Sequence, residues 1–334
     1  MSRIGYLGKK TAYLVVEIWI ALTLNFVLPR LMPGNPAKVL IARYLAQGVV
    51  FPPQTLKAFE AMFGLSTQPI YVQYIDYLTN TLTGNLGISM TYYPSSVASV
   101  IKMALPWDIA LLGVATTISF IIGTLLGLVL GWTRGGRADS AVTTITSFLN
   151  DFPYFWIALG LLYTFSYVYK IFPVGQAYAV GMAPSISLKF IESYLYHAFL
   201  PAFTLILVSL GGWLLLTRNT AITNLSEDFM IYAESTGLSK RKLFLQYLGR
   251  NSILPSLTSF SISLGLIVGG ALVTEIVFSY PGVGYVLYQA VLNDDYPLIQ
   301  GIFFIITVVV LVTNYIVDLI YGFVDPRVGA NEGT

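Results

Sequence analysis

Residues 228–255 read DFMIYAESTGLSKRKLFLQYLGRNSILP, a polar, helix-prone segment that follows one long apolar run, Ala198 to Thr217, and leads into another, Ile253 to Phe278. Crossing a hydrocarbon core of about 30 Å takes about 20 consecutive apolar residues as a helix. Two runs of that length flanking a charged segment mark a membrane chain, and mark the segment itself as exposed to water. Working outward, four more runs appear: Thr11 to Leu31, Ile109 to Trp132, Ala141 to Tyr169 and Ile299 to Val324. In lipid every backbone polar group must be satisfied within its own segment, so these runs are helices by necessity. The sequence thus predicts an all-α, polytopic membrane protein with about six transmembrane helices in one transmembrane domain, 1–334.

Composition agrees and excludes other classes. Hydrophobic residues make up 56% of the chain, charged residues 10%, and mean hydropathy is +0.73, against roughly 25% charged residues in soluble domains. The absence of cysteine removes disulfides, thiolate metal sites and cysteine nucleophiles. The lone histidine, His197, cannot complete a metal site, and a net charge of +2 does not suit a nucleic-acid partner. It reads instead as an interfacial hydrogen-bonder just before a helix beginning at Leu200-Pro201. The sequence lacks a G-x-x-x-x-G-K-[ST] phosphate loop, its nearest string, GYLGKKT at Gly5 to Thr11, having the wrong spacing. It also lacks a G-x-S-x-G elbow and an H-E-x-x-H pair. The chain is therefore expected to be no enzyme and to need energy from elsewhere.

Charge sets the orientation. Arg3, Lys9 and Lys10 precede a first run too long for a cleaved signal peptide. With the N-terminus inside, the cytoplasmic segments also hold Arg134, Arg137, Arg218, Lys240, Arg241, Lys242, Arg250 and Arg327. Arg30, Lys38, Arg43, Lys57, Lys102, Lys170 and Lys189 are spread over about twice that length outside. Both termini are then cytoplasmic. The segments 32–107, 170–197 and 280–297 are extracellular, and 218–252 is a cytoplasmic loop. The first outer segment is rich in aromatic and aliphatic residues. It carries helix-like stretches PPQTLKAFEAMFGL and PIYVQYIDYLTNTL, so a small helical cap is expected. Gly123, Gly127 and Gly131 recur every fourth residue, and Gly265, Gly269 and Gly270 share the fifth span; such faces let helices approach closely. Glu17, Glu275 and Asp318 are the ionisable groups in or near spans, and Glu17 lies mid-span.

The opening stretch has its own logic. Gly237 can end a helix in the left-handed conformation, and Ser239 can cap a second helix from Lys240. Two short helices on a tight turn make a rigid knob, with Ala233 offering a small face to another protein and Leu243, Phe244, Tyr247 and Leu248 packing on the spans. A rigid knob can transmit movement. The plainer reading is an amphipathic loop on the membrane surface, with Lys240, Arg241 and Lys242 on anionic lipid.

The short strings, in order, carry a resemblance. They are MPGNP at Met32 to Pro36, FGL at Phe63 to Leu65, GNLGIS at Gly84 to Ser89, Leu105-Pro106, and FPVG at Phe172 to Gly175. HAFLPAFTL at His197 to Leu205, EIVFSYPGVG at Glu275 to Gly284, NDDYPLIQG at Asn293 to Gly301 and VDPRV at Val324 to Val328 follow. Over essentially its whole length the chain resembles the dipeptide/oligopeptide/nickel class of ATP-binding-cassette (ABC) importer permeases, the membrane component of binding-protein-dependent transport. That resemblance implies the type I ABC importer permease fold in a prokaryotic cell membrane. It implies pairing with a second permease and two ATPase subunits, and delivery of solute by an extracellular binding protein. ATP and magnesium would sit on the ATPases, leaving no cofactor in this chain. The ATPase-docking residues it implies are Asp228, Phe229, Ala233, Glu234, Gly237, Leu238, Leu254 and Pro255. The general ABC importer motif of Glu-Ala-Ala reads Ile231-Tyr232-Ala233 here, and Ile231 and Glu234 stand where many members of the class have arginines around the central Ala. Glu275, Pro281, Gly282, Gly284, Asp295, Tyr296 and Pro297 are motif residues of unassigned role. Oligopeptide is the expected solute and short oligosaccharide the alternative. An ion-coupled secondary transporter would instead show midplane ionisable groups, of which Glu17 is a single example, and a membrane-embedded enzyme would need a catalytic cluster that the sequence lacks.

Overall fold

The structure, a computed structural model, describes residues 3–31 and 68–324, and every regular element among them is a helix, with one isolated bridge between Ile88 and Ser96. In chain order these are α1 (Arg3–Leu31), α2 (Ile70–Leu82), α3 (Val97–Trp132), α4 (Arg137–Asp151), α5 (Tyr154–Leu161, continued by a π-helical turn Leu162–Val168) and α6 (Leu188–Asn224). Then follow α7 (Asp228–Ser235), α8 (Lys240–Lys242, continued by a π-helical stretch Leu243–Gly249), α9 (Arg250–Leu266), α10 (Leu272–Val277), α11 (Val283–Leu292) and α12 (Tyr296–Val324). MPGNP, FGL, PPQTLKAFEAMFGL and the part of VDPRV beyond Val324 lie outside the described residues.

Among the described residues four helices are long and apolar enough to cross a membrane: Gly8–Val27 within α1, α3, α6, and Tyr296–Ile316 within α12. The other two expected spans depart from single rods. Ala141 to Tyr169 is a bent pair, α4 meeting α5 at 96°. Pro153 is the cause: it cannot donate to the helix ladder, and it drives the preceding Phe152 to the extended values φ −78°, ψ 132°. Ile253 to Phe278 is interrupted after α9 by one 3₁₀ turn, Ile267–Gly269, and by Gly270 at φ 69°, ψ 175°, which a residue with a side chain rarely adopts. Among the described residues there are therefore four long spans, or up to five if the bent pair is one span, and Ile253 to Phe278 does not form a single helix. The helix expected to start at Leu200-Pro201 in fact starts at Leu188, twelve residues earlier. Ser187 Oγ accepts the Phe190 N–H at 3.3 Å and sets that start, and Pro201 is carried in the helix interior.

The chain divides into two packing units, Met1–Pro106 with Gly282–Thr334, and Trp107–Pro281. In the first, α1 runs along α12, where Asn25 Nδ2 donates to the Gln300 carbonyl at 2.7 Å and Gln300 Nε2 donates to the Asn25 carbonyl at 3.2 Å. α2 docks on α1 through Phe26 against Tyr74 and Tyr77, so the stretch PIYVQYIDYLTNTL is helical from Ile70. The core holds Val97, Ile101, Val283, Leu298 and Ile302. In the second unit the glycine row of α3 meets α6 as expected. A Cβ at Gly123 would lie 2.7 Å from Trp213 Cβ, and one at Gly131 would lie 2.6 Å from Ala221 Cβ. Phe260 of α9 stacks on Phe120 at 4.3 Å, and the hydroxyl pair Thr217–Ser256 (2.7 Å) joins α6 to α9.

Candidate docking site and the motif clusters

The segment 228–249 forms the compact knob that its sequence requires. α7 carries Asp228 in its first turn, where a carboxylate favours the helix dipole. It ends at Ser235 with Thr236 as its C-cap, and Gly237 follows at φ 75°, its N–H bonding the Glu234 carbonyl at 3.0 Å. Ser239 occupies the N-cap position of α8, although its side chain makes no capping bond. From Lys240 the backbone stays helical through Leu243–Gly249 and directly into α9, with no intervening loop.

One face of the knob is glued to the chain itself. Met230, Ala233, Leu243 and Leu248 are buried with Leu128 of α3 and Ala221 of α6, and Trp132, Leu225, Leu238, Phe244 and Tyr247 close around them. Ala233 is 1% exposed, its small side chain packed against the chain's own helices. A larger residue there would hold α7 away from α3 and α6. The opposite face is open: Asp228, Phe229, Ile231, Tyr232 and Glu234 are exposed, Tyr232 at 73%, beside exposed Lys240, Arg241 and Lys242. Aromatic and aliphatic groups ringed by charges are the composition of a protein-binding patch. Leu254 and Pro255 are also exposed, but they lie inside α9 and not on the knob's two helices.

An ion pair anchors the ground beneath the knob. Asp139, in the first turn of α4, accepts Arg218 Nε at 2.5 Å and Nη2 at 2.8 Å in a two-pronged pair, and also the Gly135 N–H at 3.0 Å. Its residue is 2% exposed. Arg218 precedes the knob-facing Ala221 by one turn of α6. In the sequence Arg218 reads as one more inside charge and Asp139 does not stand out, because their 79-residue separation gives no local signal.

The motif strings also meet one another. Asp295 is fully buried, and its carboxylate accepts the Ser89 hydroxyl at 2.5 Å, the Thr91 N–H at 2.7 Å and the Leu298 N–H at 3.2 Å. It thereby caps the start of α12 and holds GNLGIS against NDDYP, while Tyr296 is buried beside it. Pro297 Cβ stands 3.8 Å from where a Gly87 side chain would begin. In the other unit FPVG packs on EIVFSYPGVG: Gln176 N–H donates to the Phe278 carbonyl at 2.9 Å, and a Cβ at Gly175 would meet that carbonyl. Phe278 and Tyr280 are buried with Ala198 and Leu200 of HAFLPAFTL. His197 Nδ1 lies 2.7 Å from the Ser193 carbonyl, a hydrogen bond within α6. Glu275, fully buried, accepts the Ala271 N–H with Oε1, which fixes the start of α10. Gly282 supplies the N-cap of α11, Gly284 is buried in its first turn, and Pro281 immediately precedes that cap. These residues hold turns and helix starts together. Among the described residues no group of three His, Cys, Asp or Glu side chains could hold a metal ion.

The family model described as binding-protein-dependent transport system inner membrane component matches residues 123–330. The di/tripeptide transport system permease protein DppB of Pseudomonas aeruginosa is 30% identical over 339 residues, covering 97% of this chain and 98% of that protein. The oligopeptide transport system permease protein AppB of Bacillus subtilis is 28% identical, covering 97% of this chain and 99% of that protein. The probable peptide ABC transporter permease protein y4tP of Sinorhizobium fredii is 30% identical, with 91% and 92% covered.

Proposed function

Because this chain belongs to the family of binding-protein-dependent transport system inner membrane components, we propose that it forms half of the translocation pathway of an ATP-driven oligopeptide importer. As a member of that family it is a multi-pass protein of the cytoplasmic membrane and a permease subunit of an ABC importer. Its proposed partners are a second permease, two cytoplasmic ATPases and an extracellular binding protein, with ATP and magnesium on the ATPases. The observation that carries the solute assignment is likeness over nearly the full length of both chains to permeases named for di/tripeptide and oligopeptide transport.

The knob supports the division of labour. A chain without a phosphate loop needs a surface through which another subunit's ATP cycle can move it, and the exposed face of α7 and α8 offers one that is rigidly backed by the spans. The proposed ATPase contacts are Asp228, Phe229, Ile231, Tyr232, Glu234, Lys240, Arg241 and Lys242. Gly237 and Leu238 set the turn between them, and Ala233 seats the knob. The proposed orientation places both termini and the knob in the cytoplasm, with α2 and α11 outside.

The test is uptake into proteoliposomes containing this chain, its partner permease and the ATPases, with the binding protein outside and peptides and short oligosaccharides offered in parallel. Peptide uptake that needs both ATP and the binding protein is expected. Oligosaccharide uptake alone would reassign the solute, and uptake by this chain alone on an ion gradient would overturn the importer reading.

A further inference from the structure

Glu17 stands at the centre of the membrane span Gly8–Val27, so at about 1.5 Å per residue its Cα is roughly 14 Å from either end. A glutamate side chain is too short to reach either interface from that depth. The side of α1 that meets α12 and α2 satisfies its polar groups: Asn25 bonds Gln300 and Tyr77, Thr23 bonds Tyr74 at 2.6 Å, and Thr11 bonds Tyr315 at 2.8 Å. Glu17 is on the other side, exposed, with no partner among the described residues. It interrupts an exposed stripe of Tyr13, Val16, Ile20, Leu24 and Val27, whose spacing of three and four residues keeps them on one helix face.

The same molecule shows what a face suited to lipid looks like. Along α3 the exposed positions from Ile109 to Val129 are Ile109, Val114, Ile118, Ile121, Ile122, Leu125, Leu126 and Val129, without one polar side chain. An unpaired carboxylate at the bilayer centre carries a penalty of several kcal/mol at least, and such groups face protein or water-filled cavities. A second copy of this chain is a poor occupant, since two-fold packing would set carboxylate against carboxylate.

We propose that the Tyr13–Val27 stripe of α1 is an interface inside the membrane, covered by a helix of the partner permease that presents a hydrogen-bond donor or a basic side chain to Glu17 at mid-bilayer depth. A single polar pair within an apolar stripe fixes the register of the two helices as well as adding to their affinity. The inference rests on the importer reading only for the identity of the partner.

The experiment is co-expression of this chain with its partner permease, purification in mild detergent, and measurement of the pair's dissociation for wild type, Glu17→Gln and Glu17→Leu. Glu17→Leu is expected to weaken the pair about three- to tenfold, the range of a polar contact between membrane helices, with Glu17→Gln close to wild type. The natural absence of cysteine allows an Ile20→Cys reporter, which is expected to cross-link to a cysteine on the partner and not to its own copy. A wild-type complex equally tight with Glu17→Leu would overturn the inference and make this a lipid-facing surface. Cross-linking between copies would overturn it in favour of self-association. Failure of the wild-type chain to associate with any second permease would remove the importer reading itself.

Discussion

The buried carboxylate of Asp295 permits a prediction worked from geometry. Asp295→Ala deletes the acceptor for Ser89 Oγ, Thr91 N–H and Leu298 N–H at once. Hydrogen bonds to a charged group contribute about 1.5–3 kcal/mol each, and loss of a helix N-cap costs about 1 kcal/mol. The change should therefore destabilise by about 4 kcal/mol or more. Ser89→Ala removes one bond to Asp295 and the acceptor for the Tyr92 N–H at 3.1 Å, which corresponds to about 2–4.5 kcal/mol. Because the two side chains share a bond, the double variant should cost less than the sum, with a coupling of about 1.5–3 kcal/mol. Asp295→Asn should fall between wild type and alanine, since it keeps one acceptor oxygen and turns an amide toward a donor. The assay is reversible unfolding of the purified protein in mixed micelles for the four corners of the cycle. Additivity within about 0.5 kcal/mol would refute the reasoning and leave the two motifs as neighbours without energetic linkage.

Gly131→Val should cost at least about 1–3 kcal/mol by overpacking against Ala221, seen as a lowered unfolding midpoint, while Gly160→Ala, with nothing within 4 Å of its new methyl, should be neutral or stabilising. Gly237→Val forces a β-branched residue to φ 75° and should abolish ATP-dependent uptake while the protein still inserts; normal uptake would remove the knob from the coupling argument. Tyr232→Ala, at a side chain 73% exposed, should leave stability unchanged yet weaken retention of the ATPases by about tenfold or more in pull-down, as loss of an interface aromatic does.

The membrane class was legible because apolar runs of spanning length are a dense signal that no local detail obscures. The α3 glycine row was equally legible, since every fourth residue must share one helix face and small residues there have a single use. The bend at Pro153 had its signal in plain view, but a hydropathy scan averages over one proline in an apolar run. The break at Gly269-Gly270 was masked in the same way, its glycines being read as a packing face. The knob is legible through Gly237, whereas the packing of Ala233 is not: a small buried residue and a small contact residue look alike until the neighbours Leu128 and Ala221 are known. Asp295 was flagged as part of a string, but its partner Ser89 lies 206 residues away, and nothing in one sequence reports such a pairing. Glu17 is conspicuous in the sequence, because charge in mid-span is rare whatever the fold.

If the knob takes the docking role proposed for it, the helix that runs without a loop from Lys240 to Leu266 would act as a lever arm. Its turns amount to about 40 Å at about 1.5 Å per residue, so a rotation of about 5° imposed on the knob would carry its far end sideways by about 3.5 Å. No loop separates handle from shaft. The first joint it reaches is Gly270, whose backbone is already turned out of line, and the short helix α10 beyond it would swing as the tip.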